Sequence, residues 1–369
     1  MKKTVGNVAF AVIAAASMMV IASCSAKKAT GTSLAIAEQG FFAAGGTVRS
    51  NEGEFVKGKA YPARMPGDTV HGDHAAVFYQ IPEERKENAI VFMHGVGQSG
   101  RCWGTTADGR EGFQNLYLRD GYPVYLVDQP RRGQAGQSTI DVTIPSDSSD
   151  RMWFEQFRIG IYPDFYDGVQ FPRDEKSIDQ FFRMMTPNFG EYDMPVISDG
   201  MAAVFDRSGK SLIFTHSAGG PVGWVTATKT DKISGIVAFE PGTCPFPAAD
   251  APEPIWNWYE DLSGIKEAPI VVSDEDFARI ISVPIIIYYG DYIPSEPTRL
   301  SPGQDYWRAS LEMARKFAEV ANKHGGDVTV VALPEVGITG NTHFPFSDLN
   351  NLEVKAHLDR WLHEKGLDK

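Results

Sequence analysis

Three cysteines among 369 residues are too few for a disulfide framework, and none lies in a paired-cysteine motif that would cradle zinc or an iron–sulfur cluster. No Walker-type phosphate loop occurs, and no Gly-rich dinucleotide fingerprint follows a strand, so a nucleotide cofactor is not expected. Positive charge is scarce as well. Lys and Arg number 35 against 47 Asp and Glu, a formal charge of −12. An acidic surface without a basic stripe repels phosphate backbones, which excludes nucleic acid as a partner. The pair Arg131-Arg132 reads as a local loop charge. Internal repeats and low-complexity tracts are also absent, which excludes a solenoid or a fibrous chain. What remains is 43% hydrophobic and 22% charged, the balance of a folded protein with a substantial core.

The first residues stand apart. Lys2 and Lys3 precede an uncharged apolar stretch that closes on Ile21-Ala22-Ser23-Cys24. A basic start, an apolar middle and small residues before a cut describe a secretory signal over residues 1–23. The Cys after the small residues resembles the lipobox of bacterial lipoproteins, which implies lipidation of Cys24 and attachment to the cell envelope. An ordinary cleaved signal and a retained helix are the alternatives. Residues 24–40 are small and polar and read as a flexible tether, followed by one domain over 41–369. Outside the cytoplasm Cys102 and Cys244 could pair, or remain buried thiols.

Segments 47–56 and 75–81 read as two strands of an antiparallel meander. Short apolar runs then recur at 89–93, 124–127, 212–215, 236–239, 283–289 and 328–333. Several are apolar at consecutive positions, as in strands covered on both faces. Helical patterns lie between them, including 307–324 and 351–365. Alternating strands and helices predict an α/β fold with a mostly parallel sheet. Two stretches break this rhythm. An aromatic-rich insertion over about 140–205 is longer than any crossover needs, and a Pro-rich insertion covers about 241–270. Both read as lids or binding loops, or as segments whose aromatics pack them onto the body.

Chemistry points first to Ser217 in Thr215-His216-Ser217-Ala218-Gly219, after an apolar strand and before a Gly-rich helix start. That is the context of a nucleophile elbow, although Thr215 stands where Gly-x-Ser-x-Gly has its first glycine. Met93-His94-Gly95-Val96-Gly97 follows an earlier buried strand, where the Val96 amide could join that of Ala218 in an oxyanion hole. His343, late in the chain and between the last strand and helix, is the candidate base. The acid is open between Glu240 and Asp291, both of which follow strands. His71-Gly72-Asp73-His74 lies in a turn and lacks the third ligand a catalytic zinc needs, so no metal is expected.

These segments resemble those of the α/β-hydrolase superfamily. The runs 103–110, Phe239-Glu240-Pro241-Gly242-Thr243-Cys244-Pro245 and Gly340-Asn341-Thr342-His343 are similar to a small group of secreted bacterial carboxylesterases. In that group the acid is a Glu after the sixth strand, which implies Glu240 and leaves Asp291 structural. The resemblance implies a serine hydrolase of small-molecule esters that forms an acyl-enzyme and needs no cofactor. An amidase, lactonase or thioesterase would use the same residues, and a lipid-anchored binding protein could share the scaffold.

Overall fold

The computed structural model describes residues 33–369 except Pro145 and Phe189. The signal segment, Cys24 and the greater part of the expected tether lie outside the described residues. Two antiparallel additions open the domain: β1 (Ile36–Ala44), β2 (Thr47–Ser50), β3 (Thr69–Gly72) and β4 (Ala75–Pro82). β2 pairs with β3, whereas β4 pairs with β1. The tether reading therefore needs correction, because β1 begins at Ile36, inside it. Residues 37–39 of this edge strand are all exposed and burial alternates only from Gly40 onward, where Phe41 remains largely exposed.

Next come β5 (Ala89–Met93), α1 (Phe113–Arg119), β6 (Val124–Asp128) and α2 (Asp150–Gln156). A small hairpin, β7 (Gly160–Ile161) and β8 (Asp164–Phe165), leads to α3 (Glu175–Arg183) and α4 (Met194–Ser208). The chain continues through β9 (Ser211–His216), α5 (Gly219–Ala227), β10 (Ile233–Phe239) and β11 (Pro245–Pro247). It then passes α6 (Trp258–Ser263), β12 (Ile270–Val272), α7 (Asp274–Ile280) and β13 (Ile285–Tyr289). It closes with α8 (Pro302–Lys323), β14 (Val328–Ala332) and α9 (Asn351–Glu364).

One eight-stranded sheet, in the order β1-β4-β6-β5-β9-β10-β13-β14, organises the domain. It is antiparallel at β1, β4 and β6, and parallel from β6 onward. Strands β5, β6, β9 and β13 are buried at every position. Successive side chains point to opposite faces, so Ile90 and Phe92 join one core while Val91 and Met93 join the other. Helices α4, α5, α7 and α8 pack on the second face, and α1 and α9 on the first. Each large apolar side chain sealed in these layers contributes roughly 2 kcal/mol.

This layering settles the cysteines. Cys244 is buried in one core and Cys102 packs against the other, with the sheet between them, and both are free thiols. Burial pushes both well above the ordinary thiol range, so neither is a reactive thiolate.

The aromatic insertion ends earlier than expected. Helix α4 contributes Ile197, Met201, Val204 and Phe205 to the sheet-facing core, so it is the crossover to β9 and part of the body. Its apolar stripe and Asp193 N-cap were readable as a helix, but not as the boundary of the insertion. In the Pro-rich stretch, β11 and β12 form a small parallel ribbon flanking α6. No helix among the described residues is long and apolar enough to cross a membrane.

Candidate active site

Ligand sites of parallel sheets form at the carboxyl ends of the strands, and the ends of β5, β9, β10, β13 and β14 supply the residues here. Ser217 follows β9 directly with φ 54°, in the left-handed region that side chains avoid. Its carbonyl accepts from Gly220 and Gly242, and its amide donates to Phe239, so the strained turn is held on both sides. Behind it lies Gly95, where a Cβ would come within 2.6 Å of Ser217 Cβ. Only glycine lets the loop after β5 approach this closely.

Thr215 is accommodated from the helix side. A Cβ on Gly223 of α5 would meet Thr215 Cγ2 at 2.6 Å, so the helix makes room for the threonine with a glycine of its own.

Glu240 follows β10 and also has a positive φ, 48°. His343 lies on the loop between β14 and α9. Its Nδ1 is 2.5 Å from Glu240 Oε2, and both side chains are fully buried. The structure thus brings Glu240, and not Asp291, to the imidazole. Asp291 accepts from the Tyr292 and Gly340 amides and braces the start of the His343 loop. The ring of His343 is stacked against Phe157 at 5.3 Å and lies 4.1 Å from Trp307. His343 Nε2 has no hydrogen-bond partner among the described residues.

The other histidines fall into supporting places. His216 Nε2 bonds the His343 carbonyl at 2.9 Å. His94 is buried between Gly95 and Gln129, whose side-chain amide donates to the His94 carbonyl. His357 bonds Tyr288, and His324 and His363 face Asp250 and Asp368. The carboxylate of the His71–His74 turn, Asp73, is occupied by Arg131 and Thr139.

Two contributors went unread in the sequence, both from the insertion. Arg158 grips both oxygens of Glu240 with its two terminal nitrogens and donates Nε to the Asp291 carbonyl. The Gly290 amide also donates a hydrogen bond to Glu240 Oε1 at 2.6 Å. Burial alone would raise the Glu240 carboxyl, but the Arg158 charge and His343 overcome it and hold the group near 2. His343 is lowered below the ordinary histidine value by burial, opposed by Glu240 and reinforced by Arg158. Tyr192 is the other: its hydroxyl donates to the Ala218 carbonyl at 2.5 Å, beneath the Arg132 guanidinium. An arginine set between large apolar residues, Phe157-Arg158-Ile159, was the available signal for the first. Nothing local marks Tyr192.

The insertion also roofs the site. Gly97 is approached by Met185 Cε and Trp153, and its carbonyl accepts from Thr186. Ser217 keeps only 6% of its surface exposed.

Comparison with known proteins agrees with this architecture. The chain is 28% identical over 311 residues to a probable secreted lipase of a fungal species, covering 75% of this chain and 82% of the relative. Among solved structures, a bacterial esterase superposes with a TM-score of 0.72 at 26% identity, covering 91% of this chain and 98% of that one. The sequence model of the alpha/beta hydrolase family matches residues 90–346. The chain belongs to the alpha/beta hydrolase family.

Proposed function

We propose that the protein hydrolyses carboxylic esters through an acyl-enzyme on Ser217. The observation that carries this reading is the pair His343 Nδ1–Glu240 Oε2 at 2.5 Å, which leaves Nε2 as the unpartnered nitrogen of the ring. Glu240 fixes the tautomer and stabilises the imidazolium, and Nε2 takes the Ser217 proton as Oγ attacks the ester carbonyl. The amides of Val96 and Ala218 receive the oxyanion. The imidazolium protonates the departing alcohol, and water, deprotonated by the same nitrogen, then releases the acid. The apolar roof of Trp153 and Met185 favours an apolar acyl or aryl group. The likeness to a lipase and an esterase supports the same bond type.

Hydrolysis of short p-nitrophenyl esters tests the reading. Turnover by the wild type that falls by at least roughly 10³-fold in Ser217→Ala and His343→Ala is expected. An inactive wild type, or an active Ser217→Ala variant, contradicts it.

We further infer that Cys24 carries a lipid anchor at the cell envelope, on the strength of Lys2, Lys3 and the Ile21-Ala22-Ser23-Cys24 run. The likeness to a secreted lipase supports export. Incorporation of an alkyne fatty acid in the producing cell, lost in Cys24→Ser, is the expected result. Equal incorporation in the variant, or none in the wild type, contradicts it.

A further inference from the structure

The insertion between β6 and β9 reaches past the mouth of the site and into the hydrogen-bond chain behind the base. Arg158 is fully buried at φ 55°, with its fork closed on a fully buried carboxylate. Adjacent Phe157 stacks on the His343 ring, and its carbonyl accepts the His343 amide at 3.0 Å. Trp307 packs beneath the guanidinium at 5.7 Å and against the imidazole. One dipeptide of the insertion therefore touches both the candidate acid and the candidate base.

A carboxylate has two oxygens and a free rotation, and only one orientation serves Nδ1. A planar guanidinium bonding both oxygens removes that rotation, which a point-like ammonium cannot do. A buried Glu stripped of its cation would also tend to take up a proton and lose its hold on His343.

We propose that Arg158 is a positioning residue for hydrolysis: its fork locks Glu240 in the rotation that presents Oε2 to His343 Nδ1. It acts through Glu240 and lies out of reach of the ester, and the proposal rests on the ester-hydrolase reading above. Its charge also disfavours the imidazolium, so His343 stays a neutral base to lower pH. The charged and titratable groups facing His343 are Glu240 after β10, His216 at the end of β9 and Arg158 from the insertion. Asp348 and Asp291 stand behind its own loop, and α8 presents the uncharged Trp307.

The full chain should be compared with Arg158→Met and Arg158→Lys by ester kinetics and by the pH dependence of fluorophosphonate labelling of Ser217. In Arg158→Met, kcat is expected to fall by roughly 10²-fold with KM within about twofold, and the acid limb to move up by about one pH unit. Arg158→Lys should fall between, and guanidinium ion should restore part of the activity of Arg158→Ala. Unchanged kcat and limb in Arg158→Met overturn the proposal, as does a loss confined to KM. Should Arg158→Met not fold, Arg158→Lys decides: it keeps the charge without the fork, and wild-type kcat in that variant overturns the proposal. A wild type that neither labels nor turns over an ester is instead a failure of the hydrolase reading.

Discussion

The Cγ2 methyl of Thr215 lies 2.6 Å from the point where a Cβ on Gly223 would stand. The strand before the nucleophile and the helix after it are thus fitted to each other through this pair, one side chain filling the space the other leaves. Gly223→Ala should push α5 off β9 and lower stability by about 1–3 kcal/mol. Thr215→Ala removes both the methyl and a buried hydroxyl that has no partner among the described residues. Combined with Gly223→Ala it should recover most of the loss, a coupling of at least about 0.5 kcal/mol. Denaturant melts of the four proteins give the cycle. Strictly additive effects would mean that the two residues do not share this space.

Gly95 predicts an effect on rate. A methyl there would meet Ser217 Cβ at 2.6 Å and the His216 carbonyl at 3.1 Å, neither of which belongs to a yielding side-chain tip. Gly95→Ala should displace the loop carrying the Val96 amide and lower kcat by roughly 10²-fold. Steady-state kinetics on a short ester check this. Wild-type kcat in the variant would show that the loop does not press on the serine.

A third prediction concerns pH and stability. Asp348 is buried within the His343 loop and accepts from the Thr342 amide and hydroxyl and from Asn341. Burial raises its carboxyl to about 7 against these bonds. The folded protein therefore holds a proton that the unfolded chain lacks between 3.8 and about 7, and this group's contribution to stability falls as pH rises through that window. The Tm of the wild type should decline relative to Asp348→Asn from pH 4 to 7. A constant difference across that range would contradict the assignment.

The strand rhythm and the candidate nucleophile and base were legible because they depend on local pattern: apolar runs for β5, β9 and β13, and a small-residue turn at Ser217. The acid was not decidable from residue type, since Glu240 and Asp291 both follow strands. Only the fold shows Asp291 spent on the Gly340 and Tyr292 amides. The edge strand β1 escaped notice because its first half is exposed at nearly every position, so burial alternates only from Gly40 onward. The roles of Arg158 and Tyr192 were not assignable for a different reason. Their partners, Glu240 and Ala218, are 82 and 26 residues away, and no spacing rule connects an insertion to the strand ends it covers.

In the proposed reaction Ser217 is a nucleophile activated by His343 and Glu240. Intact mass and peptide mapping after incubation with a fluorophosphonate test it most directly. One adduct per chain is expected, located on Ser217, absent in Ser217→Ala and formed far more slowly in His343→Ala and Glu240→Ala. An adduct on another residue, or no adduct on a folded and ester-active protein, would contradict it.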